Sequence, residues 1–399
     1  MKNRTGIARL VIFATMALLL FNAVFLAGYY LRAFTAEGAA LPLPPGLSGS
    51  GPYPLLSEIK SLLSQRYIGE LPDDKSLEYG AARGLAGAVG DPYTVFVEPQ
   101  SHELETQSLQ GEYGGIGVEL RIAEGGGSVL SPFPDSPAAA AGLVEGDRLL
   151  MVDTTTIYET TTVEQAAALI RGPVGSAISL RVRHPGGDEA IVTLVRQNIP
   201  LPSVTWRMIE GQPTIGLISL SRFSDKTDDE LKRAAQALQG QGAQQFVLDL
   251  RNNGGGILES AIDVAAVFLD GGVAMYETQR DAPEKVYTLP QNSGVLTTAP
   301  LAVLVNHNTA SAAEIVAGAL LDRGRAPLIG QTTYGKGSVQ LVFDLSDGSS
   351  LHVTAYLWYT PARRELDKVG LPPTIPIESA TDGSDAELAR AVQYLLTGQ

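Results

Sequence analysis

Apolar and polar residues follow three different rhythms along this chain. The first is unbroken: between Arg9 and Arg32 runs LVIFATMALLLFNAVFLAGYYL, 22 residues without a charge. As a helix this run is about 33 Å long, enough for a bilayer core of about 30 Å. The second rhythm is helical. Leu56, Ile59, Leu62 and Leu63 recur at threes and fours within 55–68, and residues 76–89 form a small-residue helix stopped by Gly90 and Pro92. Residues 91–99 then read as extended. The third rhythm is strand-like. Over 108–197, short strands at 148–152, 178–184 and 191–195 accompany one helix at 162–170, with Val163, Ala166, Ala167 and Ile170 on one face. From Trp206 onward strands (214–220, 245–250, 301–305, 327–330, 349–359) alternate with helices (228–238, 257–269, 310–321). A terminal helix over 385–396 turns Leu388, Ala391, Val392 and Leu395 inward. This order predicts an α/β protein: a mixed α/β core at 198–399, a β-rich module at 108–197 and a helical region at 54–107.

Charge sharpens the reading of the N-terminus. The chain carries −14 overall, yet its first 32 residues hold four of the 29 basic residues (Lys2, Arg4, Arg9, Arg32) and no acid, which leaves −18 on the remainder. Basic residues before the apolar run predict a cytoplasmic N-terminus and an exported body, with Tyr29 and Tyr30 at the outer interface. The run exceeds the core of a cleaved signal peptide, about 7–15 residues. Residues 1–34 are therefore expected to be a cytoplasmic stub and an uncleaved transmembrane helix in the cell membrane. Residues 35–53, rich in Ala, Gly, Pro and Ser, read as a linker. An acidic body argues against a nucleic-acid partner. The absence of cysteine excludes disulfides, thiolate catalysis and cysteine-bound metal.

Candidate chemistry centres on residues 301–345. The buried strand there ends in a polar turn at 306–309 and a helix follows directly, so Ser311 sits where strand hands over to helix. Unpaired first-turn N–H groups and the positive end of the helix dipole favour negative charge at that point. A hydrolase places a nucleophilic serine in this way, and such a serine needs a base, most often histidine. Of His102, His184, His307 and His352, only His307 is near in sequence, on the turn before the helix, where it reads as a solvent-facing loop residue. The other route is a serine–lysine dyad. A lysine serves as base when burial lowers its pKa enough to populate the neutral amine. Lys336, between Gly335 and Gly337 and between two apolar runs, is the candidate. The glycine-rich turn Arg251-Asn-Asn-Gly-Gly-Gly256 could hold a phosphate, but it lacks the GKS/GKT or GxGxxG spacing of the nucleotide-binding loops. No histidine pair has metal-ligand spacing, and no metal or organic cofactor is implied.

These segments resemble the carboxyl-terminal processing proteases, also called tail-specific proteases, over roughly residues 54–396. Asn306-His-Asn-Thr-Ala-Ser311-Ala-Ala-Glu314 matches the family's nucleophile segment, and Gly335-Lys336-Gly-Ser-Val-Gln340, with its lysine 25 residues after the serine, matches the base segment. The resemblance implies a Ser311–Lys336 dyad, Gln340 holding the lysine amine, and Glu314 as a further polar residue of the site. It implies an oxyanion hole made by the N–H of Ala312 and that of Gly255 or Gly256. The implied fold is a crotonase/ClpP-like mixed α/β core with an inserted PDZ domain. Gly114-Gly115-Ile116-Gly117-Val118, followed by Ser136-Pro-Ala-Ala-Ala-Ala-Gly-Leu-Val-Glu-Gly-Asp147, is similar to the carboxylate-binding loop of such a domain, where successive N–H groups nest a chain-terminal anion. Arg171, in the turn after the PDZ helix, is a candidate gating contact between the two domains, the alternative being a solvated loop arginine. Asp91-Pro-Tyr-Thr94 is similar to the stretch that precedes the PDZ domain in the family. Three positions depart from the pattern: Thr154 where glycine is usual, Gly254 where proline is commonest, and Thr374 in place of an aspartate.

The expected partners are polypeptides with free C-termini and, through the N-terminal helix, the membrane; a homo-oligomer or an activating adaptor stays open. Two rival readings are a catalytically silent PDZ scaffold at the membrane surface and a crotonase-like acyl-CoA enzyme. A scaffold has no need of Ser311, Lys336 and Gln340 together. The anchor disfavours a cytoplasmic acyl-CoA substrate.

Overall fold

The computed structural model describes residues 53–123, 126–292, 294–378 and 383–398. The expected transmembrane helix and nearly all of the linker lie outside them. Among the described residues no helix is long and apolar enough to cross a membrane. The described residues divide into two compact units, one within 53–99 and 340–354, the other within 100–339 and 355–398. In the smaller unit, helix α1 (Pro54–Arg66) leaves its apolar positions in solvent, with Leu56, Ile59 and Leu62 each about half exposed. Helix α2 (Asp74–Gly87) is opened by Asp73, whose carboxylate accepts the Ser76 N–H at 2.7 Å. Strand β1 (Val95–Val97) runs antiparallel to residues 350–352, Phe96 facing Leu351.

The larger unit holds nearly all of helix α3 (Pro99–Leu109). Pro99, read from the sequence as the end of an extended segment, opens this helix: it fixes the helical φ at the first position and gives up an N–H that has no intrahelical partner there. The β-rich module follows as β2 (Glu112–Gly115), β3 (Val118–Ile122), β4 (Ser128–Pro132), α4 (Pro137–Ala140), β5 (Asp147–Val152), β6 (Thr155–Thr156), α5 (Val163–Ile170), β7 (Ala177–Arg183) and β8 (Glu189–Val195). Its antiparallel sheet, in the order β3-β4-β5-β7-β8, encloses Leu130, Leu149, Ile178, Leu180 and Val182. The departure at Thr154 is absorbed by its neighbour. Asp153 takes the left-handed backbone (φ 50°) and its Oδ1 accepts the Ser179 N–H at 2.9 Å. Strand β9 (Gln197–Pro200) returns beside β2 as a two-stranded ribbon, Glu112 opposite Pro200 and Gly115 opposite Gln197.

The core continues through β10 (Val204–Ile209), β11 (Gln212–Leu220), α6 (Thr227–Gly240), β12 (Gln245–Asp249), α7 (Leu258–Phe268), β13 (Val273–Thr278), β14 (Lys285–Thr288), β15 (Leu301–Val305), α8 (Ala312–Asp322), β16 (Leu328–Gly330), β17 (Ser338–Asp344), β18 (Ser350–Tyr359), β19 (Ile375–Pro376) and α9 (Ala386–Thr397). Its six-stranded sheet runs β10-β11-β12-β15-β16-β19, parallel throughout except for β10. Alternation along the strands divides the apolar side chains between two layers. Ile218, Phe246, Leu248, Val303 and Val305 pack with α6, α7 and α8, whereas Ile215, Leu217, Val247, Ala302 and Leu304 pack with Ala391 and Leu395 of α9.

Helix α9 is locked to the sheet by charge as well. Arg251 pairs with Asp249 and Asp385, each at 2.8 Å, and reaches Glu387 at 3.5 Å. Burial pulls the Arg251 guanidinium down, but its hydrogen bonds to Asp249 and Asp385 outweigh that and hold it above its usual range. The Arg251 hydrogen bond in turn lowers the Asp385 carboxyl, against the opposing effect of burial. A depressed folded-state value means stabilisation that is complete above the unfolded value of about 3.9 and is lost as pH falls through the folded one. Asp385→Asn is therefore expected to unfold at lower denaturant than the parent at pH 7, with the gap closing in acid. Urea midpoints at the two pH values check this, and a gap independent of pH would contradict it.

Candidate active site

Neighbouring parallel strands β12, β15 and β16 end at the same edge of the sheet, where open α/β sheets bind ligands. The loops leaving them are 250–257, 306–311 and 331–337, so three segments distant in sequence meet at one place. Ser311 opens helix α8 with φ 55° and ψ −120°, a backbone conformation costly for a residue with a Cβ. A strained strand-to-helix turn of this kind presents a serine hydroxyl at the sheet edge in other hydrolases. The strain is held from both sides. Before it, the Ala310 N–H donates to Asn253 O at 2.9 Å, and Thr309 Oγ1 donates to Leu250 O at 2.9 Å. After it, Glu314 reaches back one turn and accepts the Ser311 N–H at 2.9 Å.

Glu314 does more than cap this helix. Its side chain is fully buried and its two oxygens accept four hydrogen bonds: Ser311 N–H (2.9 Å) and Lys336 N–H (2.9 Å) on Oε2, Thr333 Oγ1 (2.5 Å) and Gly335 N–H (2.8 Å) on Oε1. One carboxylate thus fixes the backbone of Ser311 and that of Lys336 to a common point. Trp358, 2% exposed, closes the lysine loop from its other side, its Nε1 donating to Lys336 O and its N–H to Gly337 O, both at 3.0 Å. Lys336 and Ser311 are both half-buried.

The glycine turn shows why two of its residues carry no side chain. A Cβ on Gly255 (φ 105°) would stand 2.8 Å from Ser311 Cβ and 3.1 Å from Ala312 N, filling the space beside the serine. A Cβ on Gly256 (φ 144°) would lie 2.0 Å from Phe223 O, because Phe223 bridges this turn, its N–H donating to Gly255 O at 3.0 Å. The Gly255 N–H itself donates to Asn253 Oδ1 at 2.9 Å. Fully buried Asn253 also donates from Nδ2 to Leu220 O at 3.0 Å. Sequence reasoning gave no task to Asn253, Thr309, Thr333 or Trp358; the first two lie inside the quoted motifs, but their bonds to distant backbone have no signature in spacing.

The other predicted residues make contacts of their own. Gln340 belongs to the smaller unit, where its Nε2 donates to Thr354 Oγ1 at 3.1 Å. His307 is exposed, with Nδ1 at 3.1 Å from Gln331 Oε1, and His184 Nδ1 lies 2.6 Å from buried Asp147. In the β-rich module a groove of about 180 Å³ lies between β3 and α5, lined by Ile116, Gly117, Val118, Leu120, Val163, Ala167 and Ile170, with Tyr113 and Arg171 at one end. Gly114 and Gly115 do not line it. They pair with Asn198 and Gln197 in the ribbon, so the loop facing the groove is shorter than the sequence suggested.

Comparison with known proteins agrees with this architecture. Residues 214–377 match the model of peptidase family S41, and residues 129–184 that of the PDZ domain. The carboxyl-terminal-processing protease of Picosynechococcus sp. is 36% identical over 348 residues, 84% of this chain and 83% of that protein. The chain belongs to the carboxyl-terminal-processing proteases of peptidase family S41. Carboxy-terminal processing protease CtpA of Bacillus subtilis is 31% identical, covering 86% of this chain and 73% of its own. The chloroplastic carboxyl-terminal-processing peptidase 2 of Arabidopsis thaliana is 38% identical over 75% of this chain, which spans 60% of the length of that relative. Among solved structures, the photosystem II D1 C-terminal processing protease is 30% identical with a TM-score of 0.47, over 82% of this chain and 92% of that one. The protease is thus a serine peptidase of mixed α/β fold carrying a PDZ domain, and the groove between β3 and α5 belongs to that domain.

Proposed function

We propose that the protease hydrolyses polypeptides near their C-termini with Ser311 as nucleophile and Lys336 as general base, on a crotonase/ClpP-like core. The observation that carries this is the buried Glu314 carboxylate, which seats the Ser311 and Lys336 backbones on one anchor. The Lys336 amine takes the Ser311 hydroxyl proton as Oγ attacks the scissile carbonyl, and the resulting ammonium protonates the leaving amine. Water, activated by the same amine, then releases the acyl group. Glu314, with both oxygens occupied by donors, is a positioning residue and takes no part in proton transfer.

The oxyanion is assigned to the N–H groups of Ala312 and Gly256. In a trans peptide the N–H points away from its carbonyl, and Gly255 O faces Phe223. The Gly256 N–H is thereby directed away from Phe223, while the Gly255 N–H is engaged by Asn253. Each such donor is worth about 2.7–4 kcal/mol in related hydrolases.

The PDZ groove takes the substrate's free C-terminus as an added strand on β3, with its carboxylate on the amides of Ile116 and Gly117 beside Arg171, which stacks over Tyr113 at 5.0 Å. Occupancy of the groove favours the working arrangement of the core, with Arg171 as a gating contact. The apolar run at 10–31 anchors the protease in the cell membrane with its catalytic body outside the cytoplasm. Two peptides identical except for a C-terminal amide test the reading. The acid is expected to be cleaved several-fold faster, since the amide removes the charge that the groove amides receive. Equal rates would leave the PDZ domain a tether.

A further inference from the structure

The PDZ groove and the catalytic core are joined by the β2/β9 ribbon, and one buried side chain ties the root of that ribbon to a wall of the groove. Arg196, the residue before β9, is 7% exposed. Its Nε donates to Ile170 O at 2.8 Å and its Nη2 to Leu169 O at 3.3 Å, both carbonyls of the last turn of α5. Its Nη1 donates to Ser176 Oγ at 3.0 Å and Ala177 O at 3.2 Å, at the start of β7. Among the described residues no carboxylate pairs with it. The anionic partner is replaced by the negative end of helix α5, where uncapped carbonyls and the helix dipole favour a cation.

A second contact ties the same helix end to the other ribbon strand. The Gly172 N–H donates to Gly114 O at 3.1 Å, and a Cβ on Gly114 would stand 2.1 Å from Gly172 O. Gly172 in turn lies under the guanidinium, since a Cβ there would be 3.0 Å from Arg196 Nε. The C-terminal end of α5 is therefore pinned to β2 through backbone and to β9 through Arg196. At its far end the ribbon enters the core, where the Leu201 N–H donates to Gly111 O and the Asp225 N–H to Leu109 O, both at 2.9 Å, and Lys226 pairs with Glu112 at 3.2 Å.

A buried guanidinium without an acid is expensive as a mere filler, and an apolar side chain would plug the same space more cheaply. What it supplies is direction, because one rigid fork must follow the α5 carbonyls or lose its bonds. The geometry points to Arg196 as the positioning residue that transmits movement of α5, the wall against which a peptide inserts, to the ribbon and so to the core. The inference rests on the reading that a free C-terminus in the groove promotes cleavage. Arg196 holds a groove wall from behind through the Ile170 carbonyl but does not itself line the groove, so removing its fork should separate binding from response.

The test uses the full chain, Arg196→Gln and Arg196→Lys, the matched acid and amide peptides, and a non-cleavable peptide acid whose binding is read by fluorescence anisotropy. In Arg196→Gln the several-fold acid-over-amide ratio of kcat/KM is expected to collapse to about one, as loss of the coupling requires. Peptide affinity and turnover of the amide should stay within about twofold of the parent, smaller than any such coupling. Arg196→Lys, which keeps the cation at the helix end but not the fork, should fall between the two. If Arg196→Gln does not fold, the same ratio in Arg196→Lys decides. An unchanged ratio in a folded variant overturns the inference and leaves Arg196 a structural plug, as does loss of peptide binding together with the ratio. Equal cleavage of acid and amide by the parent chain is a different failure, since it removes the gating reading itself.

Discussion

Ser311→Ala and Lys336→Ala are each expected to lower kcat/KM for a peptide substrate by about four to six orders of magnitude, the cost of losing a nucleophile or its base in serine peptidases. Lys336→Arg should fail equally. Arginine keeps its proton in a protein and cannot take one from the serine. His307→Ala should retain most activity, because the imidazole is exposed and faces Gln331. Thermal melts of the four variants separate chemistry from folding. Loss of turnover in His307→Ala with its melt preserved would transfer the base to the histidine and sink the dyad.

Replacement of Glu314 should be the next most damaging change, although this residue is assigned no proton transfer. In Glu314→Gln one acceptor oxygen becomes an NH2 group facing donors, either Ser311 and Lys336 N–H or Thr333 Oγ1 and Gly335 N–H. A buried donor left facing donors costs about 1–3 kcal/mol. Because the loss falls on the backbones of both reacting residues, a displacement of about 1 Å could lower kcat about a hundredfold. Binding of a peptide acid to the PDZ groove should be untouched, since no groove residue contacts Glu314. Parallel measurement of kcat, melting temperature and groove affinity checks this. A Glu314→Gln enzyme with parental kcat would return the carboxylate to the rank of an ordinary helix cap.

The sequence made the strand–turn–helix around Ser311 readable because the apolar run 301–305, the polar turn and the helix formers follow one another without interruption. Lys336 was readable for a similar reason, being framed by glycines between apolar runs. What lay hidden arises where segments distant in sequence meet. The four donors to Glu314 include three from 333–336, and nothing local in 311–314 announces them. The left-handed backbone of Ser311 is imposed by Asn253, Glu314 and their neighbours, not by serine's own preference. Helix α3 escaped notice because its apolar residues are sparse, and a proline was taken as the end of an extended piece when it was the start of a helix. Ribbon β2/β9 escaped because two four-residue strands have too little alternation to register. In α1 the spacing of threes and fours identified the helix correctly, but periodicity says nothing of whether the apolar face finds a partner.

The ion pairs of Arg251 bear on when a newly made molecule first becomes dangerous to its surroundings. A nascent chain that has emerged as far as Gly337 already contains Ser311, Lys336, Glu314 and the glycine turn. It does not yet contain Asp385 and Glu387, which grip the arginine at the mouth of that turn. The face of the sheet bearing Val247 and Leu304 is likewise bare until α9 folds over it. Competence therefore waits until α9 (Ala386–Thr397) has been made and has folded. Synthesis itself acts as a safety catch, and a product cut short by a late frameshift is expected to be inert rather than unregulated.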